Sequence, residues 1–202
     1  MNYLAIDTCG KNLTVLISYN GKTDCYYDNE CGVNHSVALM QKVEELVDKN
    51  GVDLKQMDFF AVVVGAGSFT GIRIGVATVK AMCFAFNKPC LSLTSFDTLA
   101  YNKQGGKVLS VIDAKHNSLY ICGYTDKTIS YPPAFVDKQV AIDLSSEYKL
   151  VSFEEIKGLD VEVVSLSEGL QNAIYEKSSA ITSNLDSITP LYIRKSQAEE
   201  GR

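Results

Sequence analysis

One short pattern occurs twice in this chain. Residues 3–7 form an apolar run that ends in the carboxylate of Asp7. The turn Thr8-Cys9-Gly10-Lys11 follows, then a β-branched stretch over 12–19, the pair Asn20-Gly21 and a return over 22–27. Residues 108–113 again form an apolar run ending in a carboxylate, Asp113. After it come a polar turn over 114–118, a strand-like stretch over 119–124 and the turn Asp126-Lys127. Asn-Gly is a strong hairpin signal, because type I′ turns need positive φ at both central positions. Each copy therefore predicts an antiparallel meander. Gln104-Gly105-Gly106 marks the boundary, dividing the 202 residues into an N-terminal lobe over 1–103 and a smaller C-terminal lobe over 107–202.

Between the two copies the pattern alternates between helix and strand. Asn34 is placed to cap a helix carrying Leu39, Val43 and Leu46 at helical spacing, with Met40 and Val47 beside them, and Asn50-Gly51 ends it. Residues 59–64 are continuously apolar, as in a strand covered on both faces. A second helix over 70–86 stops at Asn87-Lys88-Pro89; a strand over 90–93 and a short helix opening at Ser95 follow. Near the C-terminus, 167–177 reads as helix and 190–194 as an extended segment. A duplicated meander with helix-linked strands predicts an α/β chain of two ribonuclease-H-like lobes, the architecture of the actin-like ATPases, with mixed sheets flanked by helices. There, the carboxylate closing each first strand faces a cleft and orders a metal with a nucleotide, which makes Asp7 and Asp113 candidates. The plainer role for both is to cap a strand-to-turn junction.

The most distinctive stretch is Gly65-Ala66-Gly67-Ser68-Phe69-Thr70-Gly71-Ile72-Arg73-Ile74-Gly75, entered by a buried strand and left by a helix. Such a junction gathers backbone N–H groups at a helix start. It is neither a P-loop, since no Lys follows Gly71, nor a dinucleotide fingerprint, since position 70 is Thr. In the helix after it the polar side chains are Thr70, Arg73, Thr78 and Lys80. Gly71 and Gly75 lie one turn apart, as do Ala77, Ala81 and Ala85, and small residues at that spacing let another backbone come close. A helix this apolar is either buried or meets a partner. Its stripe and that of the first helix are together expected to form a protein–protein surface, with Gly75 and Ala77 as positions where bulk would block pairing and leave the lobe folded.

Lys and Arg number 19 and Asp and Glu 24, a net charge of −5, which argues against a surface that grips nucleic acid by itself. No stretch is expected to reach the roughly 18 apolar residues of a membrane span. Met1 to Asp7 lacks a basic signal-peptide start, and the chain reads as cytoplasmic. The six cysteines make no C-x-x-C pair and read as small buried hydrophobes. With two histidines, His35 and His116, not at metal-ligand spacing, and no G-x-S-x-G elbow, no catalytic or metal-binding set is nameable. The phosphate-loop positions are poor in glycine: Gly10 in the first copy and none among Asp113-Ala114-Lys115-His116-Asn117.

The chain resembles the bacterial TsaB (YeaZ) family, paralogues of TsaD in the actin-like ATPase superfamily. The matching stretches are Leu4-Ala5-Ile6-Asp7-Thr8, His35-Ser36, the glycine stretch over 65–75, Asp113-Ala114-Lys115, and Pro190-Leu191-Tyr192-Ile193-Arg194 with Ala198-Glu199-Glu200. Ala66 stands where the family usually has proline. The resemblance implies a part in making threonylcarbamoyladenosine beside the tRNA anticodon, in which TsaC forms the adenylate and TsaD transfers the group. TsaE is the ATPase, and the TsaB-like chain is a non-catalytic partner of TsaD. TsaD binds metal through a H-x-x-x-H motif; Ser95 and Leu99 stand at those positions here, which implies no such site. The resemblance further implies docking on TsaD, or homodimer formation, through the two N-terminal helices. The residues then expected at the interface are His35, Leu39, Met40, Val43, Leu46 and Val47 on the first, and Thr70, Arg73, Ile74, Ala77, Lys80 and Ala81 on the second. No cofactor is expected on the isolated chain, any ATP or ADP with Mg belonging to an interface shared within the complex, and tRNA is reached only through that complex. The competing reading is an active enzyme of the same fold, an ATP-dependent phosphotransferase or the glycoprotease of older family descriptions.

Overall fold

The computed structural model describes residues 1–31 and 34–194; Ala198, Glu199 and Glu200 lie outside them. The chain forms two compact units, Met1–Thr94 with Ile174–Leu191 and Ser95–Ala173 with Tyr192–Arg202. The first sheet runs β3-β2-β1-β4-β5, from β1 (Tyr3–Asp7), β2 (Leu13–Tyr19), β3 (Lys22–Asp28), β4 (Phe59–Val63) and β5 (Cys90–Leu93). β1, β2 and β3 pair antiparallel, and β1, β4 and β5 parallel. The second sheet repeats this order with β6 (Lys107–Asp113), β7 (Ser118–Thr125), β8 (Thr128–Asp137), β9 (Lys149–Ser152) and β10 (Glu162–Val163). Its pairing senses are the same, antiparallel through β6, β7 and β8 and parallel through β6, β9 and β10. The duplicated meander is therefore real, and the fold is the expected pair of ribonuclease-H-like sheets.

Local chemistry sets each meander. Asn20 and Gly21 take φ of 51° and 77°, and Asp126 and Lys127 take 47° and 66°, so both hairpins turn through two left-handed residues. β8 forms an edge and carries Pro132 and Pro133, which cannot donate to a further strand. The helices differ between the copies. In the first unit α1 (His35–Asn50) packs on β2 and β3, and α2 (Phe69–Phe86) on β4 and β1. Gly51 ends α1 at φ 59°, while Asn34 precedes it without a side-chain capping bond. In the second unit α4 (Lys138–Leu144) packs on β7 and β8, covering a core of Leu109, Val111, Leu119 and Ile121.

The unit boundary falls earlier than the glycines at 104–106. The short helix α3 (Ser95–Ala100) belongs to the second unit, where Ser110 Oγ donates to Phe96 O at 2.9 Å and Tyr124 OH to Asp97 Oδ1 at 3.0 Å. The helix α5 (Leu166–Glu176) leads into a segment that rejoins the first unit, pairing Thr182 with Cys90 at the edge of β5 and donating Leu191 N–H to Val64 O at 2.7 Å. Residues 190–194, expected as an extended strand-like end, join no sheet.

α2 corrects two expectations. At 18 residues it does reach the length and apolar character of a membrane span, yet Ile72, Val76, Val79, Met82 and Cys83 are buried against its own sheet, as in a core helix. Its small inner residues admit a backbone from the same chain. A Cβ on Gly71 would overlap the carbonyl oxygen of Thr8, and one on Gly75 would lie 2.6 Å from Thr8 Oγ1. Gly75 is thus a core position, and bulk there is expected to destabilise the lobe instead of testing a surface. Gly71→Ala is expected to cost about 1–3 kcal/mol or more, because the obstacle is backbone that cannot turn aside. Ala77→Ser on the outer face should leave the unfolding free energy from denaturant titration within about 0.5 kcal/mol of the parent; equal loss in both variants would show that the close approach does not exist.

Candidate functional site

The glycine stretch and the end of β1 are built as one piece. Thr8 Oγ1 donates to Gly71 O at 2.7 Å, Ser68 N–H donates to Cys9 O at 2.7 Å, and Cys9 Sγ lies 3.2 Å from Val63 O. Gly67, at φ 156°, presses on Cys9 so closely that a Cβ would overlap its carbonyl oxygen. Ser68 caps α2, its hydroxyl accepting Gly71 N–H at 3.3 Å. The stretch that matches neither phosphate motif is thus a packing joint, in which Gly67, Gly71 and Gly75 make close contact with residues 8 and 9.

The two strand-closing carboxylates make the same local bond. Asp7 Oδ1 accepts Cys9 N–H at 2.8 Å, and Asp113 Oδ1 accepts Lys115 N–H at 2.9 Å. Both residues thus cap their junctions, but their surroundings differ. Asp7 is 2% exposed, and burial pushes its carboxyl above the ordinary value against the pull of Cys9 and the charge of His35. Partial burial of Asp113 opposes its charge too, but Lys115, whose Nζ sits 2.8 Å from Oδ2, and the more distant Lys138 outweigh it and hold the carboxyl low. Among the described residues no three His, Cys, Asp or Glu side chains converge as a metal site requires.

The helix residues expected at an interface divide by face. His35, Leu39, Val43 and Leu46 are buried and belong to the core side of α1, which removes them from any docking surface. His35 Nε2 lies 2.8 Å from Asn12 O and pins the start of α1 to the β1–β2 turn. Met40 is 51% exposed and Val47 partly so. On α2, Thr70, Arg73, Ala77 and Ala81 are exposed, while Ile74 and Lys80 are partly covered, the latter donating to Ile188 O at 3.4 Å. Arg73 also lies over the Phe69 ring, 6.0 Å from its centroid. Two of the most exposed apolar side chains escaped the sequence reading: Val37, 76% exposed on α1, and Phe84, 85% exposed on α2. The spacing held the signal, because positions 73, 77, 81 and 84 follow one face of a helix.

A family model described as TsaD, tRNA N6-adenosine threonylcarbamoyltransferase, matches residues 29–130, half of the chain, from before α1 into the second meander. The chain belongs to the TsaB/YeaZ group of the TsaD family. Its TsaB relatives include the tRNA threonylcarbamoyladenosine biosynthesis protein TsaB of Bacillus subtilis, 32% identical over 124 residues, covering 59% of this chain and 53% of that protein. The Escherichia coli protein of the same name is 27% identical over 128 residues, covering 61% and 55%. The chain spans about half the length of the curated relatives it matches. YeaZ from Pseudomonas aeruginosa superposes over 95% of this chain and 99% of its own at a TM-score of 0.78 and 22% identity, which establishes the shared fold.

Asp7 also gives this TsaB/YeaZ-group chain a measurable pH dependence. Its folded carboxyl titrates above its unfolded value, so the proton is held longer in the folded state. Stability contributed this way is present below the unfolded value near 3.8 and is lost as pH rises through the folded one. Asp7→Asn keeps the acceptor for Cys9 N–H and cannot ionise. Thermal melts should show it matching the parent at acid pH and exceeding it at neutral pH; a variant less stable at neutral pH would mean that the ionised carboxylate is favoured where it stands.

Proposed function

We propose that this chain acts in the formation of threonylcarbamoyladenosine on tRNA as a non-catalytic partner, docking through the outward faces of α1 and α2 onto a TsaD-type transferase. The observation that carries this reading is the outer face of α2. Thr70, Arg73, Ala77, Ala81 and Phe84 stand exposed on a helix whose inner face is already satisfied, with Val37 and Met40 exposed on neighbouring α1. Alanines at one-turn spacing leave a shallow channel into which a partner helix packs closely, and Phe84 is the large apolar anchor beside it. The same face serves a homodimer when the transferase is absent. A TsaE-type ATPase, nucleotide and tRNA join only in the complex, in the cytoplasm.

Support for the non-catalytic part comes from the two carboxylates, each committed to its own turn, and from Ser95 and Leu99, which sit buried in α3 where TsaD-type proteins carry metal-binding histidines. The test is size-exclusion co-elution of the chain with a TsaD-type transferase. Ala77→Glu combined with Phe84→Asp should weaken the pair by about a hundredfold or more while melting temperature and circular dichroism stay at parent values. Undiminished co-elution places the surface elsewhere. Tight one-to-one binding of MgATP by the chain alone, measured by calorimetry, would favour the enzyme reading instead.

A further inference from the structure

The β1–β2 turn contains three buried polar groups that docking does not use. Asp7 closes β1, and one of its oxygens accepts Cys9 N–H. Thr14 is its direct partner in the antiparallel register; it is fully buried, and its Oγ1 has no hydrogen-bond partner. Directly opposed side chains in such a pair stand on one face of the sheet with Cβ atoms about 4.5–5.5 Å apart, a span that one small molecule bridges. Two residues before Thr14, Asn12 is 9% exposed. Its backbone carbonyl lies 2.8 Å from His35 Nε2, while its own Nδ2 is buried without a partner. A buried hydroxyl and a buried amide left unpaired are each destabilising, and a fold that keeps both is satisfying them with something.

We infer that the turn is a binding site for a single internal water, which accepts a hydrogen bond from Asn12 Nδ2 and bridges Thr14 Oγ1 to the Asp7 carboxyl. The donor and acceptor set selects this ligand. The unpaired amide is a donor and repels a cation; the carboxyl repels an anion; a water satisfies all three groups with the three bonds usual for internal waters. Magnesium is held by oxygen ligands in an octahedral array with short contacts, which distinguishes it from a water at the same place.

A high-resolution crystal structure of the whole chain, grown with magnesium chloride, tests the inference directly. Expected is one density peak about 2.8 Å from Thr14 Oγ1 and from the Asp7 carboxyl. A peak with octahedral contacts near about 2.1 Å overturns it in favour of magnesium, and no peak overturns it outright. Thermal melting gives a second readout. Thr14→Val keeps the shape and removes the hydroxyl, so the melting temperature should fall by several degrees. A rise or no change would mean that the hydroxyl bonds to nothing.

Discussion

Thr8 and Cys9 occupy space that α2 and the loop before it leave open. Gly67, Gly71 and Gly75 each meet one of these two residues at a distance no side chain would allow. Thr8 answers with a hydrogen bond to Gly71 O, and Cys9 with one from Ser68 N–H. This joint sets the position of α2 against β1 and β4. Two backbone N–H groups of the glycine-rich stretch are used within the chain by this joint, that of Ser68 on Cys9 O and that of Gly71 on Ser68 Oγ. Gly65 extends the joint, abutting Leu191 O where the returning C-terminal segment of the same unit donates to Val64.

The close seating of α2 has a consequence for its other side. A helix drawn this tightly onto its sheet satisfies its apolar inner face with one layer, and α1 beside it does the same with His35, Leu39, Val43 and Leu46. What remains outside on α2 is a row of alanines ending in Phe84. Exposed apolar area is worth roughly 25 cal/mol per Å² when covered, and an almost fully exposed phenylalanine offers a large share of it. Scattered apolar surface is ordinary; apolar surface aligned along one helix face, with small residues that admit a second helix, has the form of a contact.

Much of the fold was legible in the residues. Short-range chemistry carried it: Asn20-Gly21 and Asp126-Lys127 turn as their types demand, Gly51 ends α1, and the apolar run ending in Asp recurs at both first strands. The placement of faces was less legible. Leu39, Val43 and Leu46 repeat at helical spacing in any amphipathic helix, and spacing identifies a stripe without saying whether core or partner covers it. For α1 the answer was the core. Gly71 and Gly75 raised the same ambiguity, since small residues admit a backbone but do not say whose. The second unit was harder still, because α4, β9 and β10 are short and β10 pairs over only two residues, Glu162 and Val163. Glu162 is held there by Lys103 and Lys149, contacts from distant sequence that no local pattern encodes.

Asp7 and Asp113 show how one residue type at one topological position comes to different ends. Each accepts the N–H two residues ahead, the bond by which a side-chain oxygen caps a strand where it runs into a turn. Asp113 keeps contact with solvent and takes Lys115 as its counterion, so its charge is inexpensive. Asp7 has been enclosed, and enclosure makes its charge costly while asparagine would make the same turn bond without that cost. A carboxyl kept under those terms needs a neighbour that profits from its oxygens. The groups beside it in the turn are the unpaired Thr14 hydroxyl and the unpaired Asn12 amide. The second copy retains the turn without the enclosure, and its aspartate caps the turn beside Lys115, whereas in the first copy the same cap forms one wall of a buried polar site.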